Sequence, residues 1–250
     1  PLELRAEALI NVRRALARIT DSLNKMPDLT AVLQDNKPDE MRIIVNAPGA
    51  QIKIEVSPVA RGTLYPSIEM DMIESVEDEF GFASIQVVSM PDLYGGKLCA
   101  ALDRQHPRDW FDVKILLESE GIDRDIFNGF LTYLLSHPRP IAEVLNPRWK
   151  DNSDVFKKEF SGMTFETVSL DELNQIPVDM IKALKANFTQ KDFDFLMSFK
   201  SGTPDWSLAP SDLIQKLPAV KWKLQNFQKM PKEKHQQSLE TLEKTMQTRL

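Results

Sequence analysis

The chain has 250 residues, 42% of them hydrophobic and 27% charged, and a formal net charge of −6 at pH 7. This is the composition of a folded, water-soluble protein with room for one large domain or two small ones. It excludes a membrane span, which needs about 20 consecutive apolar residues, and a protein that coats nucleic acid indiscriminately, which needs a basic surface.

Smaller features narrow the class further. The single Cys99 excludes an intramolecular disulfide and suits a reducing, cytoplasmic setting. His106, His137 and His235 are scattered without the spacing of a zinc site. Residues 211–250 hold eight Lys or Arg against four Asp or Glu, which leaves −10 on the other 210. Such a basic arm could grip one RNA at one place, although a solvated helix face has the same composition.

Taken in order, residues 2–25 carry Leu9, Ile10, Val12, Leu16, Ile19 and Leu23 at helical spacing, which predicts one amphipathic helix ending before Pro27. Residues 35–39 form a polar turn. Residues 41–46 and 51–57 then alternate around Ala47-Pro48-Gly49-Ala50, a hairpin signal. In the second strand Ile52, Ile54 and Val56 share one face, and Lys53, Glu55 and Ser57 share the other. Pro58, Gly62 and Pro66 keep residues 57–67 from forming one element. The acidic run Glu69, Asp71, Glu74, Glu77, Asp78 and Glu79 reads as solvated surface, and a short strand follows at 83–88.

Ser89 to Leu117 reads as two helices joined at Gln105-His106-Pro107. Ser89 suits the N-cap, Pro91 the first turn, and Asp92 completes a capping box. Lys97 and Arg104, seven residues apart, fall on one helix face, and Ala100 and Ala101 keep that face narrow. Arg108, Asp109 and Asp112 open the second helix, with Phe111, Ile115 and Leu116 available to the core. Beyond Gly121 the chain reads as helical. Residues 123–136 carry a broad stripe from Ile126 to Leu135, and 140–146 form a short helix or turn. Helices follow at 156–160, 170–188 and 190–200, broken at Gly162 and Pro177, and then at 218–230 and 231–246. Thr189 and Ser211 suit N-caps. Phe193, Phe195, Trp206 and Trp222 read as packing anchors.

The pattern K-x6-R-x3-R-D-x2-D within residues 97–112 resembles the signature of AbiEii-type nucleotidyltransferases. These are the toxin half of type IV toxin–antitoxin pairs that act in abortive infection and phage defence. The resemblance continues through HPRPIAEVLNP (137–147), EFSGMT (159–164), LMSFKSGTPDW (196–206) and LPAVKWKL (217–224).

That resemblance implies an α+β fold: a nucleotidyltransferase-like core with a small mixed sheet over residues 1–120, then an α-helical lobe over 121–250. It implies an enzyme that moves a nucleotide from a nucleoside triphosphate to RNA, with tRNA the expected acceptor and Mg2+ or Mn2+ required. Lys97 matches the motif lysine and Asp109 the acid that follows it, so these are the expected catalytic pair. Asp109 would orient Lys97 or act as base on the acceptor hydroxyl. Lys97 and Arg104 would hold the triphosphate, Glu55 would be the third metal-binding carboxylate, and Asp112 and Lys53 would be secondary. The implied partner is an antitoxin that acts without a stable complex. The family's Gly-Ser turn near the N-terminus, with the D-x-D acids that follow it, does not occur in this sequence. The chain is therefore expected to be a truncated form, inactive as it stands. The alternative from another class is a nucleotide- or RNA-binding module without turnover.

Overall fold

The computed structural model describes residues 5–36, 40–56 and 62–249. Ser57, Pro58 and the latter part of the expected polar turn (37–39) lie outside them. The chain divides into two compact units, Pro1–Ala60 and Arg61–Leu250, each taken here by itself.

The first unit is one helix on a three-stranded sheet. Helix α1 (Arg5–Leu23) lays Leu9, Val12, Leu16 and Leu23 against Ala31, Met41, Ile43 and Val45. A step of 100° per residue carries Ile10 off that stripe and leaves Ile19 at its margin, and both are exposed. Strands β1 (Thr30–Gln34), β2 (Arg42–Ala47) and β3 (Ala50–Glu55) form an antiparallel meander. The β2–β3 hairpin turns at Pro48-Gly49, where Gly49 takes φ 78° without a side-chain penalty. Strand β1 has no counterpart in the sequence reading, because Ala31-Val32-Leu33 is three consecutive apolar residues rather than an alternation.

The second unit opens with β4 (Ile68–Asp71), α2 (Glu74–Phe80) and β5 (Ser84–Val87), with β4 and β5 paired antiparallel. The α+β class stands as expected, but the sheet differs in detail. Both sheets are antiparallel where a mixed one was expected. The β1–β2 and β2–β3 connections are too short for a parallel neighbour, which needs a crossover of about a dozen residues or more; the longer β4–β5 connection carries α2 and still returns antiparallel.

Helices α3 (Met90–Arg104), α4 (Pro107–Glu118) and α5 (Arg124–Ser136) form the centre of this unit. Helices α3 and α5 cross backbone to backbone. A Cβ on Gly95 would lie 2.6 Å from the Phe130 nitrogen, and one on Gly129 would overlap the Pro91 carbonyl. The close approach is thus made at glycine, while Ala101 is simply buried and Ala100 half-buried. The expected division at residue 120 runs through this core, since Leu98, Leu102 and Val113 pack with Phe127, Phe130 and Leu131.

Around that centre lie α6 (Ile141–Leu145), α7 (Ser153–Glu159), α8 (Leu170–Asn187), α9 (Gln190–Ser201), α10 (Pro218–Gln228) and α11 (Lys232–Arg249). Helix α8 runs through Pro177, where a break was expected. A Ser169–Glu172 capping box starts it, and Leu173, Ile176, Met180 and Leu184 bury its inner face. That burial outweighs the one ladder bond a proline removes. Thr189 caps α9 as expected, again with a capping box. The basic C-terminal segment is no free arm: Val220, Phe227, Leu242 and Met246 are core residues. Lys223 is 5% exposed and donates to the carbonyls of His137 and Arg139, the latter at 2.8 Å.

Candidate functional site

Four expected residues meet where α4 folds back on α3. Ser89 caps α3 by accepting the Asp92 N–H, and Pro91 sits in the first turn, as the sequence suggests. The Asp92 carboxylate does not close a capping box. It is buried and accepts the N–H groups of Leu64 at 2.7 Å and Tyr65 at 2.8 Å, which fastens the incoming loop to the helix start.

At the far end Gln105 ends α3 in the left-handed conformation, φ 56°, and the chain reverses. Asp109, in the first turn after the reversal, reaches Arg104, and its carboxylate takes both Nε (3.0 Å) and the second guanidinium nitrogen. Asp112, one turn further on, reaches back to Lys97, with Nζ and Oδ2 2.6 Å apart. The result is a ladder of two cation–carboxylate pairs. The expectation that Asp109 orients Lys97 gives way here, because Arg104 lies nearer the corner and takes Asp109 first.

The two rungs differ in exposure. Asp109 is only 9% exposed while its Arg104 is 64% exposed; Lys97 and Asp112 are each about one-third exposed, at 33% and 36%. Arg104 therefore presents a guanidinium to solvent from a fixed carboxylate anchor, a geometry suited to bidentate phosphate binding. Lys97 offers a compact point charge beside it.

The corner itself is clamped by residues the sequence reading passed over. Buried Gln105 donates from Nε2 to the Arg148 carbonyl and accepts the Lys150 N–H on Oε1, each at 2.9 Å. Lys150 Nζ donates to the Arg104 carbonyl at 3.1 Å. Arg108 donates to the Glu159 carbonyl rather than to an acid. Asp103, just before Arg104, is held by Arg139 and lies 3.6 Å from His137 Nε2. The His-Pro-Arg-Pro block thus buttresses the end of α3, with Lys223 behind it. Gly95-Gly96 was the legible sign of this region: glycine inside a helix costs stability unless something must come close.

Glu55 and Lys53 lie in the first unit, side by side on the exposed face of β3. Glu55 stands opposite Arg42 at 3.8 Å, and Arg42 Nε also donates to Gln34 at 2.8 Å. Lys53 stands opposite Ile44. Among the described residues no three His, Cys, Asp or Glu side chains gather where they could hold a metal ion. A single carboxylate already facing an arginine does not fit a two-cation site, so no step is derived through one.

A family model, nucleotidyl transferase AbiEii toxin of type IV toxin–antitoxin systems, matches residues 4–226. The chain belongs to the AbiEii family. At family level it is a nucleotidyltransferase toxin with a nucleoside triphosphate substrate and an antitoxin partner. No curated protein and no solved structure matches the chain significantly. The AbiEii match spans the whole α3–α4 ladder, takes in most of each compact unit, and ends within α10. Among the described residues no helix is long and apolar enough to cross a membrane.

Proposed function

We propose that this AbiEii-family protein transfers a nucleotide from a nucleoside triphosphate to RNA, with tRNA as acceptor, and that the α3–α4 ladder receives the triphosphate. The observation that carries the reading is the pairing itself: two cations on one side of α3, each held by its own carboxylate from α4. In the reaction an acceptor hydroxyl oxygen bonds to the α-phosphorus and gives up its proton to water, the bond from that phosphorus to the bridging oxygen breaks, and pyrophosphate leaves with the electron pair. Arg104 grips the departing phosphates through its fork and Lys97 neutralises charge beside it. Asp112 holds Lys97, and Asp109 holds Arg104 as a positioning residue. Each carboxylate keeps its cation in place in the absence of nucleotide. Glu55, with Lys53 beside it, is proposed toward Mg2+ or Mn2+, a role it can fill only with further oxygen donors.

Expression from its own gene should arrest growth, and Lys97→Ala should abolish the arrest while the protein stays folded. Removing one such charge-stabilising group costs on the order of 100- to 1,000-fold in rate. The purified product of its own gene, given labelled nucleoside triphosphates, Mg2+ and total tRNA, should label tRNA in a Lys97-dependent way. Undiminished labelling by Lys97→Ala would overturn the site assignment, and stoichiometric nucleotide binding without labelled product would identify a binding module instead.

A further inference from the structure

A groove of about 530 Å3 opens beside the α3–α4 corner, between the loop that follows α6 and helix α8. Trp110 lies at its buried side and Trp149 at its mouth, 48% exposed, with ring centroids 6.2 Å apart and planes tilted by 50°. Asn152 on one side and Asn174 on α8 face the same space, and neither amide side chain has a hydrogen-bond partner among the described residues. An exposed indole face flanked by unpaired amides is complementary to a nucleobase, which offers a flat ring and hydrogen-bonding edges. A second groove of about 550 Å3 adjoins it, since both are lined by Gln105 and Lys150. Arg148 lines that second groove and has no side-chain partner among the described residues.

The corner ties these grooves to the ladder: Trp110 follows Asp109, and Gln105 follows Arg104. We propose that this pair of grooves seats one unpaired nucleotide of the acceptor RNA, its base stacked on Trp149 and its phosphate on Arg148. This rests on the nucleotidyl-transfer reading and supplies the acceptor side that the ladder lacks. The ladder holds charge with no aromatic face, and the groove holds an aromatic face with its spare cation next door.

Binding of a dye-labelled single-stranded tetranucleotide RNA to the full chain, followed by anisotropy without added nucleotide, tests it. Trp149→Ala should weaken binding about tenfold or more, Trp149→Phe should stay within about threefold of wild type, and inorganic triphosphate binding should be unchanged in both. Arg148→Ala should weaken RNA binding and lower the slope of log K against log salt by about 0.7. Equal RNA affinity of Trp149→Ala and wild type, or no RNA binding by wild type, overturns the proposal. So does a Trp149→Ala loss that phenylalanine fails to restore. Weakened binding of nucleoside triphosphates with RNA binding intact would assign the seat to the donor and also overturn it. Trp149-dependent RNA binding by a protein that labels no tRNA would leave the seat standing and remove the transfer reading instead.

Discussion

The α3–α5 crossing and the β4–α2–β5 segment are neighbours in sequence and opposites in packing. At the crossing two helices touch through glycine backbone, and Leu98, Leu102, Phe127, Phe130 and Leu131 are all fully buried. In the β4–α2–β5 segment no residue of α2 is buried, and Ile73, Phe80, Phe82 and Ile85 are 60–72% exposed. The contrast extends to charge. The packed region buries Asp92, Asp192, Lys200 and Lys223. Asp92 accepts two backbone amides, Asp192 is paired with Arg124, Lys200 sits over the Phe227 ring at 4.5 Å, and Lys223 holds two carbonyls. The segment from Ser67 to Pro91 leaves its six acids in solvent without one Lys or Arg among them. Apolar content alone therefore does not say where stability resides; partnered burial does.

The largest effect should come from the crossing. Gly129→Ala puts a methyl group into the Pro91 carbonyl, and Gly95→Ala puts one into the backbone of α5. Neither neighbour is a flexible side-chain end, so the helices must separate and uncover the core between them. Overpacking of a tight core costs about 1–3 kcal/mol and sometimes more, and we expect each substitution to reach about 3 kcal/mol by urea denaturation. A loss below about 1 kcal/mol would show that the crossing is looser than its geometry.

Next is Asp92→Asn. Asparagine keeps one oxygen for the Leu64 N–H but turns an NH2 toward the Tyr65 N–H, or the reverse, so one buried donor is left facing another. Such a loss costs about 1–3 kcal/mol. A stability equal to wild type would mean that the loop is not held by this carboxylate.

These two sites also show what could be read from the chain before its fold. Helix α5 was legible because Ile126 to Leu135 repeats at helical spacing, and the β2–β3 hairpin because Pro48-Gly49 interrupts two alternations. Strands β1 and β4 were not: each is five residues or fewer, and β4 alternates its apolar residues with acids on a sheet that buries neither face. Lys97, Arg104, Asp109 and Asp112 were legible as a set. Their pairing was not, because spacing fixes positions on one helix and says nothing of how Gln105 redirects the next. Gln105, Asp103 and Arg139 carry no motif of their own, since their role lies in contacts 36–45 residues apart in sequence.

A third test uses pH, and its expected effect is smaller. Burial, with the Lys200 cation nearby, pushes Lys223 down to about 7 from its ordinary 10.5. Between those values the unfolded chain holds a proton that the native one has released, so Lys223 makes stability rise with pH across that window. Below about 7 both states are protonated and its contribution is a constant penalty. Lys223→Met leaves the His137 and Arg139 carbonyls without their donor at every pH. Its deficit against wild type should therefore widen from pH 7 to pH 9 and stay flat from pH 6 to pH 7. A deficit that narrows over pH 7 to 9 would show that the ammonium, and not the neutral amine, is the form this pocket favours.

The smallest effect should lie in the β4–α2–β5 segment, where it sharpens the comparison by failing to appear. Phe80 and Phe82 are 72% and 66% exposed, so folding removes only a minor part of each ring from water. Full burial of such a side chain stabilises by about 1.5–3 kcal/mol, and the part buried here scales to about 0.4–1 kcal/mol. Phe80→Ser and Phe82→Ser, each measured by urea denaturation of the full chain, should therefore shift stability by about 1 kcal/mol or less with an unchanged m-value. The same substitutions remove the largest apolar rings from an acidic surface, so solubility at high concentration should rise. A cost above about 2 kcal/mol for either would mean that the ring is covered in solution, and the two regions would then differ in composition but not in packing.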